Sequence, residues 1–170
     1  PQVGTPDALV MLLHGKQLGK GLIMNNARAR DISKNMPAIY NLLPSAGYFT
    51  TVDPAFAVDK VVSFENNSLY GQQTSQYGLF ISDNTELTNY ILGTDGRTIP
   101  AYSDIVKPNI GNVGLYNDAQ NIHAVLDNWQ PATTTKVVQV AGWGEETIAG
   151  LDYRVNRNYF STDRISYTPR

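Results

Sequence analysis

Acyl transfer by a serine enzyme needs a serine on a sharp strand-to-helix turn, a histidine base and an acid that orients the base. The 170-residue chain contains no G-x-S-x-G segment, and its only histidines are His14 and His123. Ser45 and Ser63 lack the flanking glycines of a nucleophile elbow. His14 falls near the end of one helix pattern and His123 in the middle of another, beside apolar residues, so both fit structural or surface histidines. They also lack the H-E-x-x-H spacing of a zinc helix. With no cysteine in the chain, thiolate zinc sites, disulfides and cysteine nucleophiles are excluded. Glu145 and Glu146 follow the end of a strand pattern, where acids can be catalytic. Without a nucleophile or base beside them they fit surface or capping groups better. An intact enzyme of another type would need Glu145, Glu146 or Asp152 gathered with His123 in one pocket.

Two ligand loops fail on composition. Gly15-Lys16-Gln17-Leu18-Gly19-Lys20-Gly21 is one residue short of a phosphate loop between its glycines, carries Gly21 where a magnesium-binding hydroxyl belongs, and follows no strand. Asp83 to Asn89 offers oxygen ligands but lacks the glycine and closing glutamate of a calcium loop. Asn66-Asn67-Ser68 matches the glycosylation sequon and is taken as a polar loop. Net charge is −2, so nothing points to nucleic acid, and no apolar run approaches a membrane span. No cofactor is expected.

The elements that must position these groups follow from periodicity and punctuation. Apolar content of 42% supports a folded core, and the length predicts one domain over 1–170. Charged content of 16% is low enough to suggest a surface partly covered by other protein. Thr5-Pro6-Asp7 starts a helix that Gly15 ends, and Ala8, Leu9, Met11, Leu12 and Leu13 make it apolar on most sides. Ala27 to Leu43 is helical, with Ile32, Met36, Ile39, Tyr40 and Leu43 on one face, split by Pro37. Residues 45–112 form a loop-rich, lid-like insertion containing an extended piece at Leu79–Asp83 and a short helix at Thr85–Leu92. Tyr116 to Trp129 is a helix with Ile122, Val125, Leu126 and Trp129 on one face. Val137 to Ala141 is a short core strand. Asp152–Arg157 and Tyr159–Tyr167 are two strands of an antiparallel hairpin. The expected class is α+β, helix-rich with one short core strand and a C-terminal hairpin.

Met36-Pro37-Ala38-Ile39-Tyr40-Asn41-Leu42-Leu43-Pro44-Ser45 resembles the P-S-x-Y-x-L-L-P segment of the lecithin:cholesterol acyltransferase-like branch of the α/β hydrolases. Gly4-Thr5-Pro6, the helix ending His123–Trp129, and Val137–Ala141 with Gly142-Trp143-Gly144 and Thr147 are similar to further family segments, in the family's order. The resemblance implies an α/β-hydrolase parent with its nucleophile before Pro1 and its acid and histidine after Arg170. Both ends look cut, which agrees. The chain would then be the noncatalytic cap and partial core of a lipase- or acyltransferase-like enzyme, inactive alone, with Tyr48, Phe49 and Trp143 on the wall of an acyl pocket. Its partners would be the rest of that polypeptide, a lipid or other acyl-ester substrate, and, for the excised piece, a second copy. The alternative is a self-standing binding or interaction module with an aromatic-rich loop region.

Overall fold

The computed structural model describes residues 6–15, 26–52, 60–94, 111–138 and 150–154. The chain is helix-rich with a small sheet, an α+β arrangement. In order it forms α1 (Pro6–His14), α2 (Asn26–Lys34), α3 (Pro37–Asn41), a short π-helix (Tyr48–Val52), β1 (Val62–Phe64), a 3-10 turn (Ser68–Tyr70), α4 (Gly71–Tyr77), α5 (Asn84–Leu92), α6 (Val113–Asp127) and β2 (Leu151–Tyr153).

α1 is the buried helix its composition predicts. Ala8, Leu9, Val10, Leu12 and Leu13 are all in the core. Gly15 ends it in the left-handed conformation, φ 65°, with its N–H on the Met11 carbonyl at 2.9 Å. Glycine adopts that geometry without a Cβ clash. The expected break at Pro37 is present. Proline lacks the N–H that would continue α2 and pushes Met36 into an extended conformation, so α3 starts afresh with Pro37 at its first turn. The predicted face is only half buried. Ile39, Tyr40 and Leu43 enter the core, whereas Ile32 and Met36 are exposed.

Residues 60–94 hold more regular structure than a loop-rich insertion. β1 is paired on both sides. On one side it runs parallel to β2 with Val62 opposite Leu151, Ser63 opposite Asp152 and Phe64 opposite Tyr153. On the other, the Phe64 N–H bonds the Leu79 carbonyl at 2.8 Å and the Ile81 N–H bonds the Val62 carbonyl at 3.0 Å. The extended piece predicted at Leu79–Asp83 is thus the antiparallel neighbour of β1. α5 matches its prediction. Asp83 caps it by accepting from the Glu86 N–H, and Glu86 reaches back to the Ser82 N–H and hydroxyl. This exchange is close to a capping box. Helix α4 was not anticipated; Gly-Gln-Gln-Thr-Ser-Gln-Tyr has no apolar period to reveal it.

The C-terminal strands depart from expectation. β2 starts at Leu151, and its partner among the described residues is β1, in parallel register. The predicted second hairpin arm, Tyr159–Tyr167, lies outside the described residues. Gly150 is what lets β2 approach: a Cβ there would run into the Lys60 carbonyl oxygen. The strand predicted at Val137–Ala141 is corrected over its described part. Val137 and Val138 are exposed and belong to no strand, so their apolar side chains cover nothing. Residues 139–141 lie outside the described residues.

Alternation in β1 and β2 sends Val62, Phe64, Leu151 and Tyr153 into the core and pairs Ser63 with Asp152 on the other face, Oγ to Oδ1, at 2.6 Å. Phe64 stacks on Tyr153 and meets the edges of Tyr90's ring, with Tyr70 and Tyr77 completing the cluster. Offset and edge-on contacts of this kind add to area burial.

Candidate functional site

The two histidines are both buried and both occupied by structural contacts. His14 Nε2 bonds the Tyr153 hydroxyl at 2.7 Å, tying α1 to β2, and its ring meets Tyr153 edge-on. His123, 1% exposed, sits on the inner face of α6, with Nε2 3.0 Å from the Asn41 carbonyl oxygen. A carbonyl can only accept, so Nε2 carries a proton and donates it. The Nδ1 of the same ring is buried and has no hydrogen-bond partner among the described residues.

One helical turn further along α6 an acid holds a serine. Ser45, fully buried, donates its hydroxyl to Asp127 Oδ1 at 3.0 Å, and the Gly47 N–H donates to Oδ2 of the same carboxylate at 3.0 Å. Serine and aspartate therefore meet at the end of α6, one helical turn beyond His123. Their bonds are not those of a nucleophile relay. The acid holds the serine directly, and the histidine proton is on a backbone carbonyl. Asp127 acts as a clasp, fixing the chain entering the Tyr48–Val52 helix to the end of α6. One signal hinted at it: an acid in the last turn of a helix opposes the macrodipole, so it needs a tertiary partner.

Two tyrosines complete the inner face. The Tyr40 hydroxyl donates to the Lys34 carbonyl at 2.8 Å and accepts from the Asn112 N–H at 2.7 Å. The Tyr116 hydroxyl bonds Thr88 Oγ1 at 2.7 Å. Burial pushes both phenols above their ordinary value, against a smaller downward pull from the Asn112 N–H and the Thr88 hydroxyl respectively.

Tyr48 and Phe49 are neighbours in the core, edge to face with ring centres 5.3 Å apart. Trp143, Glu145 and Glu146 lie outside the described residues. Asp152 accepts from Ser63 and from Arg154 Nε, the latter at 2.8 Å, while His123 is held by Asn41, so these two candidates serve different parts of the fold. Among the described residues no group of acids and histidines is placed to hold a metal, and no helix is long and apolar enough to cross a membrane. Asn66 of the sequon is exposed just after β1.

The outward side of α6 is the unexpected surface. Its inner face is Tyr116, Ala119 and His123. The predicted apolar face lies about a third of a turn away at 3.6 residues per turn. It is exposed over Ile122 47%, Val125 70% and Leu126 54%; the helix ends at Asp127, so Trp129, 60% exposed, lies beyond its C-cap Asn128 rather than on the helix as predicted. The helix buries Tyr116 and His123 and leaves Ile122, Val125 and Leu126 in water. No family model, curated protein or solved structure matches the chain.

Proposed function

We propose that this chain is a noncatalytic interaction module whose docking face is the apolar stripe of α6. The stripe itself carries the proposal. Ile122, Val125 and Leu126 at i, i+3 and i+4 spacing stand on one exposed face of α6, and Trp129 is exposed just past its C-cap Asn128. Contiguous apolar surface of this sort marks a protein-binding site more often than a solvated one. The occupied hydrogen bonds of Ser45, Asp127 and His123 give the module a reason to keep these groups without using them on a substrate: they fix α6 so that its stripe faces outward.

A fluorescent hydrophobic dye tests the docking face. The native chain binds it, and Leu126→Ser with Trp129→Ser binds it weakly while keeping the same circular dichroism. Dye binding unchanged by these substitutions counts against the stripe.

The parallel pairing of β1 with β2 through a long helical crossover favours a second reading, in which the module is the cap and partial core of an acyl-ester hydrolase. There the stripe would meet the rest of the enzyme. In either setting the chain alone turns over no acyl ester. Hydrolysis of short- or long-chain esters that follows the protein through purification and is lost in Ser45→Ala or Ser63→Ala would overturn the noncatalytic assignment.

A further inference from the structure

We propose that Asn84 and Gln120 hold one internal water between α5 and α6. The site is separate from the outward side of α6 and does not rest on the docking face.

Two hydrogen bonds give the relative course of the helices. The Gly111 N–H, just before α6, bonds the carbonyl of Ile91 in the last turn of α5 at 2.8 Å. Further along α6, the Tyr116 hydroxyl meets Thr88 Oγ1, which lies further back along α5. Contacts that advance on one helix while they retreat on the other belong to an antiparallel pair. One more turn carries Tyr116 to Gln120 and Thr88 to Asn84. Asn84 and Gln120 are therefore the next pair across this seam.

These are the two residues of the seam whose polar atoms are stranded. Asn84 Oδ1 and Gln120 Nε2 are both buried, and neither has a hydrogen-bond partner among the described residues. Buried amide groups are seldom left unpaired, and internal waters serve such groups by making two to four hydrogen bonds each. The two atoms are of opposite kind. Oδ1 accepts and Nε2 donates, so a single water satisfies both, giving one proton to Asn84 and accepting one from Gln120.

The neighbouring hydroxyls supply a third partner. Thr88 Oγ1 donates its one proton to the Asn84 carbonyl at 2.6 Å. The Tyr116 hydroxyl must then be the donor in its 2.7 Å bond to Thr88, which leaves the phenol oxygen able to accept. It stands one turn from Gln120 on the same helix, where it can take the water's second proton.

The test uses the whole chain. In the native protein, the side-chain amide protons of Gln120 should show a rotating-frame Overhauser cross-peak to a long-lived water, of the sign that separates contact from proton exchange. Asn84→Leu and Gln120→Leu should each raise the unfolding constant about tenfold, because each strands the opposite amide. The double variant strands neither and should unfold no more readily than either single one. Additive losses in the double variant mean that the two residues share nothing, and overturn the proposal. Coupled losses without the water cross-peak mean that the amides bond each other directly, and overturn it too. Should a variant not fold, the cross-peak of the native chain decides alone: its absence from Gln120 removes the water.

Discussion

Helices α1 and α6 make opposite use of similar apolar material. α1 places Leu9, Val10, Leu12 and Leu13 in the core, and its last residue, His14, bonds Tyr153. α6 turns Ile122, Val125 and Leu126 outward, with Trp129 exposed just past its end, and buries Tyr116 and His123. α1 is held by packing. α6 is held by hydrogen bonds to groups far along the chain: Thr88, Asn41, Ser45 and Gly47. Burial is decided by where partners stand. A helix held on one side by hydrogen bonds can leave apolar side chains on another side in water.

Substitutions sharpen this contrast. The largest effect belongs to α1: Leu12→Ala leaves a cavity in a fully buried site and should cost about 2–5 kcal/mol by denaturant unfolding. Next is the sheet that α1 packs on. Gly150→Ala pushes a methyl into the Lys60 carbonyl and should separate β2 from β1, lowering the melting temperature and exposing the Leu151 N–H, now on the Val61 carbonyl, to hydrogen exchange.

On the α6 side, Asp127→Ala removes the acceptor of the buried Ser45 hydroxyl and the Gly47 N–H and should cost about 1–3 kcal/mol. Tyr40→Phe should cost about 1–2 kcal/mol by losing its bonds to Lys34 and Asn112. It should also change the alkaline limb of stability. With the folded phenol held above the ordinary tyrosine range by burial, the unfolded chain ionises first, so stability is intact below that range and falls as pH climbs through it. The Phe variant loses Tyr40's part of that fall; a steeper fall in the variant would contradict the assignment. The smallest effect is predicted for Val125→Ser, within about 0.5 kcal/mol, because it alters a side chain already in water.

The sequence exposed what is local and hid what is distant. Pro37 and Gly15 punctuate helices by steric rules that need no tertiary context, and Asp83 with Glu86 caps α5 within four residues. The orientation of α6 depends on Asn41, 82 residues from His123, and on Ser45, 82 residues from Asp127. Apolar periodicity alone therefore marks a face without saying what it meets. The same holds for β2: its alternation was legible, but the parallel partner at Val62–Phe64 was not. Tyr48 and Phe49 were singled out as aromatic, which serves a core and a pocket wall equally.

The most direct test of the contrast is a charge placed in each helix, Leu12→Glu in α1 and Leu126→Glu in α6, followed by denaturant unfolding under identical conditions. The account predicts that Leu126→Glu folds with stability within about 1 kcal/mol of the native chain while Leu12→Glu does not fold, since an unpaired buried carboxylate costs far more than an exposed one. Comparable collapse of both variants would mean that the α6 stripe is core after all.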